Sequence, residues 1–244
     1  MKKVKIFVSA LALFASAMAF QSCNDDDDTN WELYRPTAIV TVCPTAEGGF
    51  TMNLDDKTTL LPSNMEKSPY GDKEVRALVN YTEDKKQQRE TRSVTVNWID
   101  SIRTKLPELY LGEENDKKYG NDPVEIVKDW VTVAEDGYLT LRVRTLWGDR
   151  QTPHYLNLLT GMNPDDPFEL ELRHDAKGDV NGRPGDALIA FNLNNLPRTN
   201  GSTVKIKLHW KSFSGEKSQE FELALRPAVV GDDDAKLMPS GYVK

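Results

Sequence analysis

The chain has 244 residues and a formal charge of −7, with 31 Lys and Arg against 38 Asp and Glu interspersed along most of its length. That balance argues against nucleic acid or an anionic membrane surface as partner, since both select a basic patch. Its size suits one large β domain or two small ones.

In chain order, Lys2, Lys3 and Lys5 precede an apolar run from Ile6 to Phe20, followed by Gln21-Ser22-Cys23. A basic start, a short apolar stretch and a small residue before a cut make a secretory signal. A bilayer-spanning helix needs about 20 apolar residues, more than this run holds. Gln21-Ser22-Cys23 resembles a bacterial lipobox, with Phe20 in the place usually held by Leu, a relaxed form found in Bacteroidota lipoproteins. The resemblance implies that residues 1–22 are a signal peptide and that Cys23 is lipidated and anchored in the outer membrane; the other reading is a secreted protein with a chance cysteine. Asp25, Asp26, Asp27 and Asp28 repel one another and stay solvated, so residues 23–35 form a flexible acidic tether. The run also resembles the acidic export signal of Bacteroidota surface lipoproteins, which implies display on the cell surface. As a mere spacer it would leave the periplasmic leaflet open. Removing 1–22, with three lysines and no acids, takes the formal charge to −10. With Cys23 consumed by lipid, Cys43 is the remaining thiol, so no intramolecular disulfide is expected. Cys43 ends an apolar segment and reads as a small core residue.

Period-two alternation dominates the rest. Ala38, Val40 and Val42 share one face of a first segment, with Ile39 and Cys43 opposite; Phe50, Met52 and Leu54 alternate in a second. Asp55-Asp56-Lys57 turns into Thr58 to Leu61, which stops at Pro62, and a polar loop follows to Asp72. Val75, Ala77, Val79 and Tyr81 line another face, then Val94, Val96 and Trp98. Five short strands between Thr37 and Ile102 suit an OB-like barrel, assigned with a polar connection to residues 36–121. Residues 103–122 read as a long loop too polar to pack, with a short helix from Pro123 to Lys128.

From 122 to 244 a second all-β stretch follows. Leu139, Leu141 and Val143 alternate with polar residues, Tyr155 to Leu159 is nearly continuously apolar, and Phe168, Leu170 and Leu172 alternate again. Ala187, Ile189, Phe191 and Leu193 come next, then Val204 to Trp210 and Phe221 to Leu225 around the turn Phe213-Ser214-Gly215-Glu216. Several antiparallel strands with one polar face each fit a β-sandwich. The fold class is therefore all-β, a barrel followed by a sandwich.

Three stretches carry a family resemblance: Leu54-Asp55-Asp56-Lys57-Thr58-Thr59-Leu60-Leu61-Pro62-Ser63-Asn64; Asp129-Trp130-Val131-Thr132-Val133 with Gly137-Tyr138-Leu139-Thr140-Leu141; and His154-Tyr155-Leu156-Asn157-Leu158. Their order resembles the NigD-like lipoproteins of Bacteroidota. That resemblance implies an N-terminal OB-like domain and a C-terminal β-sandwich. The family name comes from a bacteriocin operon in which one member was proposed to confer immunity, and no functional residues come with it.

Catalytic signatures are missing. No Gly-x-Ser-x-Gly elbow, phosphate-cradling loop or Cys-x-x-Cys pair occurs, and His154, His174 and His209 lack metal-ligand spacing. The chain therefore reads as a non-enzyme with no cofactor. The one ion candidate is the segment 175–186, where Gly178-Asp179-Val180-Asn181-Gly182 echoes the start of a calcium loop. Arg183 stands where a ligand oxygen belongs and Pro184 where the turn glycine belongs, so Asp175, Asp179, Asn181 and Asp186 either clasp calcium irregularly or form a plain hairpin loop. Trp147, beside a turn, is the candidate ligand-contacting aromatic; Trp98, Trp210 and Tyr81 fall on core faces. Asp100-Ser101-Ile102 matches the short pattern of O-glycosylation in Bacteroidota secreted proteins, which makes Ser101 a candidate. The expected job is binding an extracellular protein, with bacteriocin immunity as one version, or a glycan as accessory to polysaccharide uptake. No oligomeric state is implied.

Overall fold

The alternating strands close a barrel before the chain builds a sandwich against it. The computed structural model describes residues 31–85, 90–149, 151–197, 199 and 202–226, so the expected signal peptide, Cys23 and Asp25, Asp26, Asp27 and Asp28 lie outside it. Strands β1 (Ala38–Pro44), β2 (Phe50–Asn53), β3 (Thr59–Pro62), β4 (Val75–Glu83) and β5 (Thr91–Ser101) pair in the order β1-β2-β3-β5-β4, and β4 closes on β1. Only the β3–β5 pair within this barrel is parallel. Val40, Val42, Met52, Leu60 and Val79 fill its interior, as the period-two pattern requires. Asp55 closes the β2–β3 turn by accepting the N–H groups of Lys57 (2.8 Å) and Thr58 (2.7 Å). Past Pro62, the Asn64 side chain bonds both backbone groups of Val96, each at 2.9 Å, and so continues the parallel ladder.

The sandwich contains β6 (Thr104–Lys105), β7 (Glu108–Leu109), helix α1 (Asn115–Tyr119), β8 (Glu125–Ile126), β9 (Val133–Glu135), β10 (Tyr138–Trp147), β11 (Tyr155–Thr160), β12 (Glu169–Asp175), β13 (Arg183–Asn192), β14 (Thr203–Ser212) and β15 (Gly215–Ala224). One sheet runs β6-β13-β10-β8 with β9 also on β10; the other runs β15-β14-β12-β11-β7. Between them lie Leu139, Leu141, Leu158, Phe191, Leu208 and Leu223, all fully buried. Most neighbours are antiparallel, but β12 and β14 are parallel because β13 crosses to the other sheet between them.

Two local expectations fail. The polar stretch after Ile102 is not a free connection: β6 pairs β13 and β7 pairs β11, so it supplies edges to both sheets. Its helix packs through Asn115 and Tyr119, four residues apart and therefore on one face. Asn115 accepts the Leu111 N–H at 2.8 Å and Tyr119 donates to the Leu109 carbonyl at 3.0 Å. Residues 123–128 are not helical. Val124 and Ile126 alternate into the sandwich core while Val127 N–H bonds the Arg142 carbonyl, so an unpaired sheet edge claims this segment.

The described residues from Glu32 onward form one compact unit. Ile39 and Ile102 of the barrel pack with Val131, Tyr138 and Ala190 of the sandwich, which is why β1 is buried on both faces. At this junction the Arg76 side chain is 0 % exposed. It donates to Thr41 Oγ1 (3.0 Å), Thr140 Oγ1 (3.4 Å) and Glu135 Oε1 (2.5 Å), and lies over the Tyr138 ring. Burial pushes the Glu135 carboxyl up, and Arg76 pulls it back. Also within reach of the Tyr138 ring, Arg226 grips Asp136 through two bonds (2.7 and 2.6 Å) and Glu74 at 2.7 Å. The Tyr138 hydroxyl donates to Glu74. Cys43 therefore sits half-buried beside Glu74 rather than in the barrel core, and burial, then the Glu74 charge, pushes its thiol up to about 12.

Removing one member of a buried ion pair strands the other, at a cost of about 3 kcal/mol. Arg76→Ala should therefore lower the urea midpoint by that equivalent without changing the slope. Arg76→Met with Glu135→Leu should recover most of the loss. A single variant as stable as the wild type would mean the pair does not hold the junction.

Candidate functional site

Residues 127–132 turn between β8 and β9, and the turn is locked by Asp129. Its Oδ1 accepts the Val131 N–H (3.2 Å), its carbonyl accepts the Thr132 N–H (3.2 Å), and its Oδ2 takes Arg142 Nη1 (2.7 Å). Thr132 Oγ1 donates to the Val127 carbonyl (2.6 Å) and accepts the Arg142 N–H (3.2 Å). Val131 anchors in the junction core, so its neighbour Trp130 faces outward, 54 % exposed. A groove of about 340 Å³ lies on one side of Trp130, bounded by Pro36, Leu78, Leu188 and Asp186. Another of about 210 Å³ lies on the other, bounded by Thr37, Leu54, Asp55 and Val133. Both run along the line where barrel meets sandwich. The rim is charged and paired: Asp186 accepts Arg144 Nε (2.6 Å) and Arg142 Nε (2.9 Å). Bonds from Arg144, then from Arg142, hold its carboxyl at about 2.

The calcium candidates do not gather as one site: Asp179 and Asn181 both lie against Gly148, and the other carboxylates are bonded elsewhere. Asp175 pairs with Lys177 Nζ (2.6 Å), Asp186 is held by its two arginines, and Asp179 accepts the N–H groups of Gly148 (2.8 Å) and Asp149 (3.0 Å). Asn181 lies against Gly148, where its carbonyl would be 2.3 Å from an added Cβ. Among the described residues no three His, Cys, Asp or Glu side chains gather as a cation requires. The segment is the loop that crosses from β12 in one sheet to β13 in the other, tied to the end of β10. Ser101 ends β5 with its side chain exposed.

Trp147 is half-buried rather than a free platform, because its indole stacks on His154 with ring centroids 4.1 Å apart. Behind that stack the structure builds a chain of imidazoles. His154 Nε2 is 3.4 Å from Asp179 Oδ2, His154 Nδ1 is 3.0 Å from His174 Nε2, and His174 Nδ1 is 3.0 Å from the Pro123 carbonyl. A carbonyl only accepts, so His174 carries the proton on Nδ1 and, when neutral, accepts from His154 Nδ1–H. The two histidines are twenty residues apart; the register of β11 on β12, with Leu156 opposite His174, makes them diagonal neighbours. His209 lies on the other sheet face, 2.7 Å from Glu169. Trp98 gives its indole N–H to the Leu33 carbonyl (2.6 Å), and Trp210 is core.

A family model for the NigD-like N-terminal OB domain matches residues 39–102, and one for the NigD-like C-terminal beta sandwich domain matches 107–223. The chain belongs to the NigD-like family. Among solved structures, this NigD-like chain is similar to a Parabacteroides distasonis protein named for a proposed toxin relation, at 34% identity and a TM-score of 0.63, over 77% of this chain and 92% of that one. A protein of unknown function from Bacteroides vulgatus (23% identity, TM-score 0.60, 80% and 92% covered) has the same fold. So does a NigD-like immunity protein from Bacteroides caccae (18%, TM-score 0.56, 77% and 96% covered). No curated protein matches the chain.

In this NigD-like protein burial pushes the His174 imidazole below its ordinary value, against a smaller pull from the Pro123 carbonyl; His154, Asp122 and Asp175 face it. The unfolded chain then binds a proton that the folded one refuses, so stability present above pH ~6.5 is lost as the pH falls through that value. Urea unfolding between pH 7 and 5 should show this loss, at most about 1.4 kcal/mol per pH unit for one proton. His174→Gln should flatten the slope; an unchanged slope would assign it to other groups.

Proposed function

We propose that this protein is a lipid-anchored, non-enzymatic binding module displayed outside the outer membrane, and that it engages another protein through the surface centred on Trp130. The observation that carries the reading is one exposed indole, held out by a rigid turn, between two grooves of a fixed domain junction. Protein interfaces have this anatomy: an aromatic centre with apolar flanks and a polar rim. Pro36, Leu54, Leu78 and Leu188 are the flanks, and Asp129, Arg142, Asp186 and Arg144 the rim. The arginine pairs already occupy the rim carboxylates. That favours a protein over a sugar, whose hydroxyls need free polar partners. Binding of a toxin, as in bacteriocin immunity, is one version of this function. The histidine chain supports a non-catalytic reading, since its ends are a backbone carbonyl and an aspartate already bonded to two backbone N–H groups.

Crosslinking on intact cells should capture a defined protein partner, and Trp130→Ala should cut the yield at least tenfold while leaving the melting temperature unchanged, because hot-spot tryptophans carry about 2 kcal/mol or more. Glycan-array binding that depends on Trp130, without a captured protein, would replace this reading with the accessory-lipoprotein one.

Lipid anchoring rests on Gln21-Ser22-Cys23, and surface display on Asp25, Asp26, Asp27 and Asp28. A diacyl-type anchor supplies the two chains that stable attachment needs. Cys23→Ser should move the protein from the membrane to the soluble fraction. A wild-type protein that takes up no fatty-acid analogue during growth would end the anchoring proposal.

A further inference from the structure

A second cleft opens between the two sheets of the sandwich, where β6 and β13 face β11, and has a volume of about 110 Å³. Val143, Ile189 and Leu156 line its apolar depth, and Trp147, stacked on His154, forms one wall. Arg103 and Lys105 stand in its lining, which includes no Asp or Glu, although the chain as a whole is acidic. Lys105 Nζ donates to two uncharged acceptors, the Leu156 carbonyl (2.8 Å) and Asn157 Oδ1 (2.5 Å). An ammonium has three donors, so one remains. The exposed Arg103 guanidinium has no ion pair or hydrogen bond among the described residues. Burial lowers the Lys105 amine, the nearby Glu108 carboxylate offsets part of that, and Arg103 lowers it further. The cleft shares Ala187 and Leu188 of β13 with the larger Trp130 groove, but its cations and Trp147 are not in that groove, whose Arg142 and Asp186 lie on the opposite face of the sheet from Val143 and Ile189.

We propose that this cleft binds a small organic carboxylate, its anionic end on Arg103 and Lys105 and its apolar body against Trp147, Leu156 and Ile189. Charge and shape both select that class. Two cations in a lining without a carboxylate attract an anion, and charge-assisted bonds to a carboxylate are the strong kind. An enclosed cavity of about 150 Å³ holds benzene, so a cleft somewhat smaller with an open mouth receives one ring and no more.

The test titrates the full-length protein with phenylacetate, followed by the Trp147 indole N–H and the Lys105 side-chain amine in NMR spectra. Benzyl alcohol serves as the uncharged analogue and acetate as the charge without the ring. Phenylacetate should shift both signals at millimolar concentration, raise the Lys105 pKa, and bind at least tenfold more tightly than either analogue. Arg103→Glu, an exposed change that leaves the fold alone, should weaken binding tenfold or more, and Trp130→Ala should leave it unchanged. Equal binding of benzyl alcohol, equal binding of acetate, an unaffected Arg103→Glu variant, or no response to phenylacetate would each overturn the assignment.

Discussion

Two arginines converge on the Tyr138 ring, and that arrangement makes one unit of a barrel and a sandwich. Arg76 reaches it from β4 with its side chain wholly buried, and Arg226 reaches it from beyond β15. A buried guanidinium is tolerable only where its donors are satisfied, and here two threonine hydroxyls and Glu135 receive them. These partners come from both domains, so neither can move without exposing the others. The β9–β10 turn adds to the lock. Asp136 and Gly137 both take positive φ, 50° and 74°, as a two-residue hairpin turn requires. A Cβ on Gly137 would lie 2.1 Å from Asn194, so close docking of the turn tip depends on that glycine. The Asp136 N–H reaches the Asp56 carboxylate of the barrel at 2.7 Å.

Because the junction is fixed, the turn beside it is fixed too. Val131 belongs to the shared core and Trp130 is its sequence neighbour, so burying one exposes the other. The grooves flanking the indole are the spaces left where a round barrel meets a flat sheet. Residues of the stretch Leu54 to Asn64 acquire physical roles in the same frame. Asp55 closes a turn, Asp56 reaches across to the sandwich, and Asn64 substitutes a side chain for a strand. These residues serve architecture.

The ends of the sandwich are arranged by different forces. Asp179, which the calcium-loop echo singles out, caps the backbone of Gly148 and Asp149 instead, and Gly182 and Gly185 leave room for Trp147. At Gly182 an added Cβ would lie 2.0 Å from the Trp147 carbonyl. Glycine and acid spacing in that loop thus reflects close packing of an inter-sheet crossover on a strand end. The edge strands β6 and β7 come from a stretch whose composition hides them, because two-residue strands carry no period to read.

The positions of most long strands, the all-β class with a barrel followed by a sandwich, and most core faces were legible in the sequence, because burial of one face of a strand imposes alternation on consecutive residues. Family membership was legible for the same reason: the order of turn and strand residues is a local record. What stayed hidden depends on contacts between distant segments. His154 and His174 become neighbours only through strand register, and Arg76 looks like any polar residue of an alternating strand until the sandwich covers it. Trp130 could be quoted as part of a pattern, yet its exposure follows from where Val131 is buried. Local periodicity reports which side of a strand is apolar; only tertiary packing decides what covers the other side.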